Sequence, residues 1–151
     1  MTSVIDPLLD QRVSPQWRGL LGALAAEFED QLGHDELRQL MARVGARFAA
    51  AHPLRACAST TELAAALNAQ WRDIQWGYVE LADERDCLRI THYGAPLRAF
   101  GGGALAWAPA FLQGSYQGWL TAMGATDLDV VQAGPVDDDY AIEFTLGRGA
   151  R

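Results

Sequence analysis

The chain has 151 residues, 50% of them hydrophobic, and its twelve basic residues, all arginine, stand against nineteen acidic ones for a net charge of -7 at pH 7. A chain of this length buries roughly 70% of the surface it exposes when unfolded, enough for a core without metals or disulfides. No apolar run approaches the ~20 residues of a transmembrane helix, and no polybasic face is present to neutralise nucleic-acid phosphates.

Residues 1–13 read as a flexible polar arm and residues 14–151 as a single α+β domain. The arm carries Asp6 and Asp10 where a signal peptide would be basic, which predicts a cytoplasmic protein, with the periplasm as the alternative. Ser14 and Pro15 then have the chemistry of an N-cap and first helical residue, and Trp17, Leu20, Leu21, Leu24 and Phe28 recur at helical spacing until Gly33. Asp35 is positioned to cap a second helix, whose Leu37, Leu40, Met41, Val44 and Phe48 repeat the apolar stripe up to His52-Pro53. Ser59 to Glu62 has capping-box spacing and opens a third helix with Leu63, Leu67, Trp71 and Ile74 on its apolar side.

The period then changes to two. Val79 and Leu81 alternate with Tyr78 and Glu80, a charged turn follows at residues 83–86, and Leu88 and Ile90 alternate with Arg89 and Thr91, giving a hairpin. A loop from Gly94 to Leu105 leads to a fourth helix over about Pro109 to Met123. A second hairpin takes Leu128 and Val130 through Gly134-Pro135 and the acidic tip 137–139 to Tyr140, Ile142, Phe144 and Leu146. The predicted architecture is therefore N-terminal helices, then helix, hairpin, helix, hairpin, forming a four-stranded, largely antiparallel sheet covered by helices.

Residues with chemical potential do not converge in the sequence. Gly101-Gly102-Gly103 lacks the Lys-Ser/Thr of a phosphate loop and reads as a flexible connector. His34, His52 and His92 are dispersed and have no metal-ligand spacing, and residues 137–139 lack the frame of a calcium loop. Glu80 and Glu143 suggest no paired-carboxylate spacing. Cys57 and Cys87 fall in different elements and read as buried thiols of a reducing compartment, with a disulfide as the alternative. The expectation is a protein that is not an enzyme, with no cofactor and no metal.

Assembly features are stronger. Gly114 and Gly118 each cost about 1 kcal/mol relative to alanine inside a helix, so with Phe111 and Ser115 they imply close backbone approach, either within the chain or at an oligomer interface. Trp76, Tyr78 and Trp107 are either core residues, subunit contacts or flat surfaces for stacking on sugar rings.

The ordered set Phe28-Glu-Asp-Gln-Leu-Gly33, Leu63 to Leu67 with Asn68, Trp76-Gly77, Leu88-Arg89-Ile90-Thr91-His92 and Trp107-Ala-Pro-x-x-Leu-x-Gly-x-Tyr-x-x-Trp119 resembles the bacterial cellulose synthase operon protein D family. The similarity runs over about residues 20 to 125, and the Trp107 to Trp119 block is its most specific part. The resemblance implies a non-catalytic accessory subunit of cellulose biosynthesis. It implies a homo-octamer, a ring of dimers that organises synthase complexes and other operon scaffold proteins and guides β-1,4-glucan chains for export and crystallisation. In that family N-terminal segments reach the passages for glucan, which makes Thr2, Ser3, Asp6 and Gln11 the candidate glucan-binding residues here. Trp76, Tyr78, Trp107, Phe111, Gly114, Ser115 and Gly118 are the candidate interface residues.

A second resemblance competes with it. Phe111-Leu-x-Gly-x-x-x-Gly-Trp-Leu followed by two strands is similar to the end of a small-molecule-binding domain of the 4-vinyl reductase type. Such domains often carry cysteines in the closing hairpin, where this chain has Ala133, Gly134 and Asp139.

Overall fold

A computed structural model describes residues 13–136 and 140–148. Among them the order is α1 (Pro15–Gln31), α2 (His34–Ala51), α3 (Thr60–Ile74), β1 (Tyr78–Asp83), β2 (Leu88–Tyr93), α4 (Ala110–Ala122), β3 (Asp129–Gln132) and β4 (Ala141–Gly147). The strands form one sheet in the order β1-β2-β4-β3, and every neighbouring pair is antiparallel. This is the expected α+β fold, with N-terminal helices preceding the sheet. The arm up to Arg12 and the hairpin tip at 137–139 lie outside the described residues.

Capping explains where the helices begin. The Ser14 hydroxyl accepts from the Gln16 N–H ahead of Pro15. The Ser59 hydroxyl accepts from the Glu62 N–H at 3.1 Å, and the Glu62 carboxylate reaches one residue past the N-cap to accept from the Ala58 N–H at 2.6 Å, a variant of the capping box that ties the helix start on both sides. For α2 the expected cap moves. Gly33, with extended backbone, is the N-cap, and its carbonyl accepts from the Leu37 N–H; Asp35 lies inside the first turn, where its negative charge suits the helix N-terminus. The loop after β2 is also more ordered than expected, with two 3-10 turns at Leu97–Phe100 and Gly102–Ala106, so the triple glycine is partly helical rather than a plain connector.

The α4 helix is buried on nearly all sides between α2 and the inner face of the sheet. Its contact with α2 is a meeting of backbones. A Cβ on Gly114 would lie 2.0 Å from the Ala42 carbonyl oxygen, and a Cβ on Gly45 would lie 2.0 Å from the Phe111 carbonyl oxygen. The two glycines thus admit each other's helix, in the way small residues permit ridges to enter shallow grooves. Ser115 is buried in the same seam, where its hydroxyl donates to the Phe111 carbonyl at 2.9 Å and lies 3.3 Å from the Gly45 carbonyl.

Side-chain amides close parts of both sheet edges. On β3, Gln117 accepts from the Val130 N–H at 2.7 Å and donates to the Leu128 carbonyl at 3.0 Å, and Gln113 accepts from the Gln132 N–H at 3.2 Å. On β1, Asn68 accepts from the Val79 N–H at 2.7 Å and donates to the Val79 carbonyl at 3.0 Å. These contacts occupy backbone groups that an edge strand otherwise presents to another chain.

The apolar stripe of α1 departs from the sequence expectation. Only Ala25 of this helix is buried, whereas Trp17 is 55%, Leu20 49% and Leu24 39% exposed. Helical periodicity marks a face that avoids water, but among the described residues α1 finds little to cover it.

Candidate functional surfaces

The most buried polar groups form a directed chain. The Trp76 carbonyl can only accept, so His92 Nε2, 2.7 Å away, carries the proton and donates to it. His92 Nδ1 therefore accepts from the Tyr116 hydroxyl at 2.6 Å, and the Tyr116 oxygen accepts from Trp71 Nε1–H at 3.0 Å. Burial lowers the His92 pKa from 6.5 to about 4, against the opposing effect of the hydrogen bond to Trp76, and burial pushes the Tyr116 phenol well above its ordinary value, opposed by the Trp71 hydrogen bond. Both groups are neutral at pH 7. With their partners satisfied and the rings of Trp71 and Tyr116 in edge contact at 5.9 Å, they tie α3, α4 and β2 together. The sequence contained a signal for this: His92 follows Leu88 and Ile90 at the inward parity of β2, where a polar residue must find a partner.

The other singled-out carboxylates are exposed or half-exposed and hold the outer face of the sheet. Arg89 donates to Glu84 at 2.6 Å and to Glu143 at 3.0 Å, and the Arg89 hydrogen bond holds the Glu84 carboxyl below its usual range. Glu80 accepts from the Tyr93 hydroxyl at 3.4 Å. Cys57 and Cys87 are free and half-buried rather than fully buried. Among the described residues no group of three or more His, Cys, Asp or Glu is placed to hold a metal ion, and no helix is long and apolar enough to cross a membrane.

The residues with assembly potential separate into three environments. Gly114, Ser115 and Gly118 face α2, where a Cβ on Gly118 would lie 3.0 Å from the Ala49 Cβ. Trp107 is fully buried with its indole donating to Glu29 at 3.0 Å, and Phe111 is buried against half-buried Trp76 at 5.3 Å between ring centres. Tyr78 alone of the seven is exposed, at 51%, with its ring stacked on Tyr93 at 4.9 Å. Thr2, Ser3, Asp6 and Gln11 lie outside the described residues.

Two open surfaces stand apart from these packed groups. One is an apolar groove of about 490 Å³ between α1, α2 and the first 3-10 turn, lined by Trp17, Leu21, Met41, Val44, Trp76 and Phe100 among others, with Val13 at its margin. It adjoins the exposed stripe of α1, and sequence reasoning misses it because segments distant in the chain make it. The second is a polar cleft of about 710 Å³ where α3 meets β1, lined by Asn68, Arg72, Gln75, Gly77 and Tyr78.

No curated protein matches this chain. The family described as the D subunit of cellulose synthase matches it over residues 3–147, a span that includes all four strands and the four helices described above. The chain belongs to this cellulose synthase D-subunit family.

Proposed function

We propose that this protein is a non-catalytic subunit that assembles with copies of itself, as an octameric ring of dimers, and guides β-1,4-glucan chains leaving the cellulose synthase complex. The observation that carries the reading is the family match across residues 3–147. A role in cellulose synthesis follows from that membership; the ring and the handling of glucan are the proposal. The exposed stripe of Trp17, Leu20 and Leu24, continued by Val44 at 41% exposure, supports self-association, since such contiguous apolar surface marks a contact face. Burying it against a second copy also shields the groove beside it.

The amides on the sheet edges favour assembly through helix faces over extension of the sheet. The free thiols of Cys57 and Cys87 suit a reducing compartment, which supports action on the cytoplasmic side of the synthase. The arm, with Thr2, Ser3, Asp6 and Gln11, is proposed to contact glucan within the ring, where repeated weak contacts add through multivalency.

The test is mass and product together. Light scattering of the purified full chain is expected to give about eight copies per particle, and cells lacking the protein are expected to make less or poorly ordered cellulose that the full chain restores. A monomer at micromolar concentration removes the ring, and unaltered cellulose in the deleted strain removes the role in glucan guidance.

A further inference from the structure

We propose that the cleft between the end of α3 and the start of β1 is a binding site for a neutral β-linked glucan, with Tyr78 as the stacking platform and Arg72, Gln75 and Asn68 as the hydroxyl-binding rim. This inference rests on the glucan-handling reading above and adds a site outside the N-terminal arm.

The construction of the turn supports it. Gly77, at φ 76°, is required where it stands, because a Cβ there would lie 1.8 Å from the Tyr93 carbonyl oxygen. That close approach starts β1 directly beside β2 and stacks the Tyr78 ring on Tyr93, with an interplanar angle of 22°. One face of Tyr78 is thereby held by a second ring, while the residue remains half-exposed. A supported, half-exposed aromatic ring is an apolar plate with few rotamers to lose on binding. Pyranose rings of a β-1,4-glucan present flat C–H faces of matching polarity, with hydroxyls around the edge.

The rim supplies partners for those hydroxyls. Asn68 is fixed by its two bonds to Val79 and retains a second amide hydrogen. Among the described residues the Arg72 guanidinium makes no hydrogen bond or ion pair within the chain, and the Gln75 side chain makes none either. Gln75 is the C-cap of α3 in the left-handed region, at φ 60° and ψ 45°, a conformation that glycine adopts more easily. A long amide side chain at a position suited to glycine is explained if the amide itself is used.

Charge selects the ligand class. Among the described residues Arg72 is the single charged residue lining the cleft and no carboxylate lines it, which disfavours a cation, while the net charge of -7 disfavours an acidic polymer. A neutral, hydroxyl-rich ring ligand fits both constraints. The volume of about 710 Å³ lies within the roughly 300–1,000 Å³ of ordinary ligand clefts.

The experiment is calorimetric titration of cellopentaose into the full chain. The parent and the variants Tyr78→Ala, Tyr78→Phe and Gln75→Gly are compared with a full-length arm variant carrying alanine at Thr2, Ser3, Asp6 and Gln11. Tyr78→Ala is expected to weaken binding roughly tenfold, with Tyr78→Phe close to the parent. Gln75→Gly is expected to weaken binding severalfold while raising the thermal midpoint, a combination that a purely structural role does not give. The arm variant is expected to retain the cleft's share of binding. If the parent binds and both Tyr78→Ala and Gln75→Gly bind equally well, the cleft is overturned and the glucan reading stands. If the parent does not bind cellopentaose at millimolar concentration, the glucan reading falls and the cleft with it. A fall in particle mass for Tyr78→Ala makes Tyr78 a contact between copies and also overturns the site.

Discussion

The Tyr116 hydroxyl donates to His92 Nδ1 across 2.6 Å, and the histidine that joins β2 to the helices is held neutral by its burial. Its consequence is a pH dependence of stability. The His92 pKa is 6.5 when unfolded and about 4 when folded, so between these values the unfolded chain binds a proton that the folded chain refuses. Stability from this group is complete above pH 6.5 and is lost as pH falls towards 4, by about 3 kcal/mol at most. Urea midpoints of the parent should therefore fall between pH 7 and pH 4.5 by more than those of His92→Phe. The variant is less stable at pH 7, because it leaves Tyr116 and the Trp76 carbonyl without their partner, but carries no histidine titration at this site. Parallel pH profiles for the two proteins would contradict the assignment.

The α2–α4 seam gives a ranking of glycines. Gly114→Ala places a Cβ against the Ala42 carbonyl, a backbone atom that yields only if the helices separate, and a loss of about 3 kcal/mol or more is expected. Gly118→Ala meets the Ala49 Cβ at 3.0 Å and its next neighbours at 3.6 Å or beyond, so a shift of a few tenths of an ångström relieves it. Its expected cost is about 1 kcal/mol or less, because alanine also favours the helix. Chemical denaturation of the two variants checks the order; equal costs would mean that the helices are not held this closely.

The contrast between α1 and α2 shows how much is legible in the sequence. Both helices announce their stripes with the same spacing, and Ser14-Pro15 and Ser59 to Glu62 locate helix starts correctly. Periodicity records that a face is apolar but not what covers it, so Leu37 and Met41 are buried while Trp17 and Leu20 are exposed. The glycines of α4 are conspicuous because two stand one helix turn apart. Their partner Gly45 is not, since its role exists only once α2 lies across α4. Tyr78 belongs to a legible strand, but the cleft beside it depends on the left-handed turn at Gln75, which residue type does not foretell.

Gln117 offers a test of edge protection. Its amide accepts from Val130 and donates to Leu128, so Gln117→Leu leaves two backbone groups of the β3 segment to water or to another strand. A loss of about 1–3 kcal/mol is expected if they stay buried and unpaired. The sharper readout is hydrogen exchange: the Val130 amide should exchange faster in the variant, with the amides of the β1–β2 hairpin unchanged. An increased tendency to aggregate would agree with an opened edge, whereas unchanged Val130 protection would show that the glutamine is dispensable there.

The exposed stripe of α1 carries the remaining prediction, which concerns assembly. Leu20 and Leu24 lie one turn apart and are 49% and 39% exposed, so replacing both with glutamine removes apolar surface without opening a cavity in the core. Glutamine is also a good helix former and adds no charge to an already acidic chain. If α1 meets a second copy, the cost falls on the interface, where the loss of two central leucines from an obligate contact is enough to shift its dissociation by orders of magnitude. The expected result is a smaller particle by light scattering with the same far-ultraviolet dichroism and near-parent urea midpoint at matched low concentration. Retained particle mass would move the contact to another face, and loss of the dichroism would show that α1 depends on these leucines within its own chain.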